Sequence, residues 1–116
     1  MPDTKSETYA KGRDIRRQLL GDDDVAEVER TTYNDPIMRK FIDAATETVF
    51  GALWSRPGLD LKTRTLVCVV SDAATGRDPE LAIHLRMALR QGWTEEELAL
   101  LTARRVFAET KTGART

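Results

Sequence analysis

The feature that most constrains this chain is a spacing. Its apolar residues recur at intervals of three and four, and helix-ending signals cut that pattern into six lengths. One stretch, Leu66-Val67-Cys68-Val69-Val70, is β-branched enough to be read as a buried strand. It lies inside a periodic segment of more than ten residues and has no partner strand elsewhere, so it too reads as helix. The expected fold class is therefore all-α, with about six helices.

The punctuation sets the boundaries. A first helix is expected from about Thr4 to Leu20, ended by Gly21 as a C-terminal cap. Asp22, Asp23 and Asp24 suit the positive N-terminal end of a short second helix. Asn34-Asp35-Pro36 stops one helix and starts a third, with Pro36 tolerated in its first turn. That third helix carries Ile37, Phe41, Ala44, Ala45, Thr48 and Val49 on one side and runs into Gly51-Ala52-Leu53-Trp54. Ser55 to Asp60 is a loop, because Pro57-Gly58 opposes helix continuation. Asp60 caps a fourth helix from Leu61 to about Ala74, ended by Gly76. Asp78-Pro79-Glu80 opens a fifth helix through Gln91, closed by Gly92. Thr94 and Glu97 form a capping box for a sixth helix fading near Glu109.

Length and composition narrow the function. With 116 residues the chain is expected to be a single domain, 1–116. Lys plus Arg, 18, nearly balances Asp plus Glu, 19, so no overall field draws it to nucleic acid or an anionic membrane. The positive residues Arg104, Arg105, Lys111 and Arg115 gather near the end, either as a basic skirt or, as favoured here, a solvated tail. A single cysteine, Cys68, excludes an internal disulfide and any Cys-x-x-Cys motif. A single histidine, His84, excludes a His-rich metal site within one chain. The opening residues have no apolar signal core and no run is long enough to span a membrane, so a cytoplasmic location is expected. Nucleotide-binding, zincin and serine-hydrolase motifs are absent.

Three segments in order carry a resemblance. Trp54-Ser-Arg-Pro-Gly-Leu-Asp60 followed by Lys62-Thr-Arg64 resembles the loop-to-helix signature of the carboxymuconolactone decarboxylase family. Gly76-Arg77, Glu80 and His84-Leu-Arg86 resemble its helix with the reactive histidine, and Gly92-Trp93-Thr94 its next helix start. The N-terminal third, with Arg13, Arg16-Arg17 and Gly21, fits more loosely. The resemblance implies the alkylhydroperoxidase-like helical fold, assembled as a homotrimer or homohexamer. Thiol members of that superfamily carry a Cys-x-x-Cys ending four residues before the histidine; those places are Arg77 and Glu80 here. Their further glutamate, nineteen residues before the histidine, is Thr65. The expected chemistry is accordingly acid–base rather than thiol redox. Two departures stand out. Ala52 occupies the place of a usual glutamate in Gly-Glu-x-Trp, and Arg104 to Glu109 diverges from the family's last helix.

What the resemblance implies is loss of CO2 from an unsaturated, carboxylated lactone, with no metal or organic cofactor because the substrate is its own electron sink. His84 would be the proton donor, being the one side chain here that ordinarily titrates near neutrality. Glu80, four residues earlier, shares its helix face and is expected to orient the ring. From the residues alone, the favoured reading of His84 is a half-buried helix residue bonded to a neighbour; the resemblance reverses that preference. Arg56 and Arg64 are candidate clamps for the substrate carboxylate, or else surface partners of Asp60 or an acidic helix face. Trp54 walls a pocket or anchors its loop. Cys68 reads as packing, Arg86 as structural or interfacial, and Trp93 as packing before a helix cap. The expected partner is a small carboxylate or lactone. Two alternatives stay open: another acid–base step, isomerisation or cyclisation, or a non-catalytic oligomeric binding protein.

Overall fold

The computed structural model describes residues 5–101. Thr4, the expected helix start, and the stretch 102–116, with the expected continuation toward Glu109 and the basic tail, lie outside the described residues. Six α-helices and one π-helical segment account for the described secondary structure, with no strand among the described residues. They fall into two compact units, divided after Gly58.

The first unit opens with α1, Glu7–Leu20. The Ser6 hydroxyl caps it by accepting the Tyr9 N–H at 3.0 Å. Gly21, with φ of 86°, ends α1 and donates its N–H to the Arg17 carbonyl at 2.8 Å. Then comes α2, Asp22–Thr31, with its three aspartates in the first turn. The third helix, α3, runs Pro36–Ala45, its start fixed by the Asp35 carboxylate, which accepts the N–H groups of Ile37 and Met38 at 2.9 Å each.

Beyond Ala45 the chain departs from the expected continuous helix. Thr46–Leu53 is a π-helical segment, its last bond running from the Trp54 N–H to the Val49 carbonyl five residues back, at 2.9 Å. Two glycines explain how closely this segment lies on α1. A Cβ at Gly12 would sit 1.9 Å from the Thr46 carbonyl oxygen, and one at Gly51 would sit 2.1 Å from that of Thr8. The two backbones therefore meet directly, each carbonyl over the other helical segment's glycine. Ile42, Thr46 and Gly51 are the buried positions of this stretch, while Ile37 and Phe41 are 77% and 58% exposed. The apolar side named by the sequence pattern thus faces outward. Arg16 of α1 is the buried charge of this unit. Its side chain is 5% exposed, lies 3.9 Å from Glu29, and its guanidinium carbon stands 6.0 Å from the ring centroids of Tyr33 and Phe50.

The second unit begins with α4, Leu61–Thr75, capped by the Asp60 carboxylate, which accepts the Thr63 N–H at 2.8 Å. That bond holds the Asp60 carboxyl below its ordinary range. The β-branched run is helical, as its periodicity predicts. Gly76, at φ of 72°, closes α4 in the left-handed region. Next are α5, Asp78–Arg90, and α6, Glu95–Ala99, the latter with the complete Thr94–Glu97 capping box. Val69 of α4, Leu81, Leu85 and Ala88 of α5, and Leu98 of α6 form the core, flanked by Leu66, Ala73 and Trp93. The Trp93 indole N–H donates to the Lys62 carbonyl at 2.7 Å, with the Lys62 ammonium 4.5 Å from the ring centroid. Trp93 therefore packs ahead of a helix cap, and it joins the end of α5 to the start of α4. No described helix is long and apolar enough to cross a membrane.

Two outcomes follow from this packing. An exposed helical glycine replaced by alanine ordinarily gains about 1 kcal/mol, but Gly12→Ala is expected to lose about 2 kcal/mol or more through overpacking, measured by urea unfolding; an unchanged or raised midpoint would refute the backbone crossing. Cys68 is half-buried, and burial followed by the nearby Asp72 charge raises its thiol pKa. At pH 8 the folded protein should be alkylated by iodoacetamide at least about tenfold more slowly than the urea-unfolded chain, and equal rates would contradict that burial.

Candidate active site

The second unit carries the chain's only histidine, and its surroundings follow from how α4 and α5 pack. A two-residue link, Gly76-Arg77, reverses the chain between them. Trp93 bonded to Lys62 fixes one end of the pair. At the other end, near the reversal, His84 comes opposite Asp72, and His84 Nδ1 is hydrogen-bonded to Asp72 Oδ2.

Asp72 is an unusual residue for its place. It lies on the buried stripe of α4 with Thr65 and Val69. It is also in the helix's C-terminal part, where carbonyl dipoles disfavour a negative charge. A carboxylate buried against that field needs a donor or a positive partner. The imidazole supplies one. The Asp72 side chain is 10% exposed and that of His84 27%, so the carboxylate is covered while the ring keeps an edge open to approach. An imidazole held through Nδ1 presents Nε2, the nitrogen that can hand over or receive a proton.

The sequence-predicted residues divide between the units. His84 and Arg64 lie on α5 and α4 of the second unit; Trp54 and Arg56 belong to the first. The ring partner expected at Glu80 is corrected: Glu80 is exposed, and the carboxylate bonded to the imidazole is Asp72. One turn of helix brings Glu80 to the face of His84, but Asp72, held from the neighbouring helix inside the packed pair, reaches Nδ1. Sequence spacing carried no trace of that cross-helix contact. What could have shown it was the lone acid of α4, on the buried stripe with Thr65 and Val69 and near the helix's negative end.

Arg64 is half-buried, and its Nε–H donates to the Leu59 carbonyl at 2.9 Å, which ties the guanidinium to the loop before α4. Arg56 is exposed, with its backbone N–H on the Leu53 carbonyl at 3.2 Å. Trp54 is half-buried with its ring 6.0 Å from that of Phe50, centroid to centroid. Thr65 is fully buried and donates its hydroxyl to the Lys62 carbonyl at 2.6 Å. Among the described residues no group of three or more His, Cys, Asp or Glu side chains is placed to hold a metal ion.

Comparison with known proteins identifies the family. The profile of the carboxymuconolactone decarboxylase family matches residues 39–115. A protein of Acinetobacter baylyi named 4-carboxymuconolactone decarboxylase is 35% identical over 91 residues, covering 78% of this chain and 66% of that protein. Nitrosuccinic acid decarboxylase of Metarhizium robertsii is 32% identical over 90 residues, covering 78% of this chain and 62% of that protein. The match thus spans slightly less than two thirds of each relative. No solved structure matches the chain at a significant level. The profile match, over more than half of the sequence and across the whole α4–α5 pair, shows that the chain belongs to the carboxymuconolactone decarboxylase family.

Proposed function

We infer that this chain is a carboxy-lyase that removes CO2 from a small acid by acid–base chemistry, without a cofactor and without a thiol redox step. The observation that carries this reading is the Asp72-held imidazole of His84, in a family whose two matched relatives are both named decarboxylases. Those names also suggest a substrate class. In a carboxymuconolactone the electrons left by departing CO2 can pass through a conjugated double bond to a lactone carbonyl. In a nitrosuccinic acid they can pass to a nitro group. The shared requirement is a carboxylate whose loss leaves a carbanion conjugated with an electron-withdrawing group.

The bond between carbon and carboxylate breaks, CO2 leaves, and the electron pair is delocalised onto the acceptor oxygen. The His84 imidazolium then delivers its Nε2 proton to carbon, and the neutral ring, still bonded to Asp72 through Nδ1–H, regains a proton from water. Donors directed at the acceptor oxygen lower the barrier where the charge develops. Arg64, on α4 of the same unit as His84, is the guanidinium proposed to bind substrate carboxylate. A cytoplasmic homotrimer or homohexamer with no nucleic-acid or membrane partner completes the reading. Ala52, in place of the expected glutamate, favours a second reading in which the same histidine serves an isomerisation or cyclisation.

Release of CO2 from 4-carboxymuconolactone and from nitrosuccinic acid by the purified chain separates these readings. Turnover of either is expected to fall by about 100-fold or more in His84→Ala, the scale of a lost general acid. Arg64→Ala is expected to raise KM by about tenfold or more with a smaller change in kcat, the cost of a lost charge-assisted hydrogen bond. Turnover that survives His84→Ala would sink the mechanism. Consumption of substrate without CO2 would favour the second reading.

A further inference from the structure

We propose that Asp72 is the positioning residue of His84, fixing the neutral ring as the Nδ1–H tautomer so that Nε2 alone faces the substrate. The inference rests on the reading of His84 as the proton-transfer group, and two independent features of α4 support it. First, Asp72 bonds the ring through Nδ1 from a second helix, across the packed α4–α5 pair. Second, its burial and its place near the negative end of α4 are unfavourable for a carboxylate unless the partner matters.

The chemistry gives the placement its meaning. A neutral imidazole in water prefers its proton on Nε2. A carboxylate at Nδ1 reverses that preference, leaving Nε2 with a lone pair that regains the catalytic proton and returns it at one fixed position. It also balances the charge of the imidazolium that precedes each proton delivery. No proton has to leave the Asp72–His84 bond during turnover; the exchanging proton is the one on Nε2.

Because His84 is the chain's only histidine, its ring nitrogens can be observed by nitrogen-15 NMR without assignment. At a pH where the ring is neutral, the wild-type spectrum is expected to show a protonated Nδ1 and an unprotonated Nε2. In Asp72→Ala, checked for helical content by circular dichroism, the pattern should invert. On an acid that the wild type decarboxylates, kcat should fall about 10- to 100-fold with KM within about twofold, the scale of losing a residue that orients a functional imidazole. A wild-type ring carrying its neutral proton on Nε2 would overturn the proposal whether or not the variant folds. So would a tautomer or a kcat that Asp72→Ala leaves unchanged. A wild type that holds the Nδ1–H form yet releases no CO2 supports the pairing and counts against the lyase reading alone.

Discussion

The packing of α4 against α5 is the constraint on which the candidate site depends. Val69, Leu81, Leu85, Ala88 and Leu98 are buried essentially completely between these helices and α6. A fully buried aliphatic side chain of this kind contributes about 1.5–3 kcal/mol, whereas a hydrogen bond involving a charged group nets about 1.5–3 kcal/mol only after desolvation has been offset. Four such side chains outweigh one polar pair. The helices therefore hold Asp72 against His84, and the pair does not hold the helices. That order of causes is what a proton-transfer site requires: the polar groups can change protonation during turnover without loosening the scaffold that aims them.

The first unit solves a different packing problem. Its closest contact is made by removing side chains, at Gly12 and Gly51, so that carbonyls approach within the space a Cβ would fill. Such approach gives up apolar burial and gains dispersion and weak Cα–H···O contact along two backbones. The π-helical hydrogen bonding of Thr46–Leu53 accompanies that crossing, and the exposed Ile37 and Phe41 lie on the side of the stretch that the crossing leaves uncovered.

Legibility in the sequence followed the range of the interaction. Asp35, Asp60 and Thr94 caps, the Gly21 and Gly76 stops and the Pro57-Gly58 loop are decided within four or five residues, and each appears where the pattern put it. The change from α to π hydrogen bonding accompanies the meeting of Gly12 with residues more than thirty positions later, and a local pattern does not carry that. The same limit governed the site. His84 was identifiable as the lone imidazole on a family-like helix, and its neighbour along that helix, Glu80, was the natural partner by spacing. The partner in the structure is twelve residues away and on another helix. Only the oddity of a single acid on the buried stripe of α4 pointed to it, and that oddity becomes legible once helices, rather than residues, are taken as the units being paired.

The Asp72–His84 arrangement also bears on where binding charge must come from. An imidazolium beside a carboxylate is neutral as a pair, so it exerts little net pull on an anionic acid. In the lyase reading, attraction for the substrate and stabilisation of the developing negative oxygen therefore fall to other groups. Guanidinium suits both tasks because it stays charged and offers paired donors. Arg64 meets a further requirement: its Nε–H is tied to the Leu59 carbonyl at the start of α4, which fixes the arm relative to the helix that also holds Asp72. A clamp and a proton donor aligned on one rigid pair of helices would lose little ordering entropy at the moment of reaction. Under the proposed reading, Arg64 at the first turn of α4 would recognise charge and Asp72 near its last would place the proton.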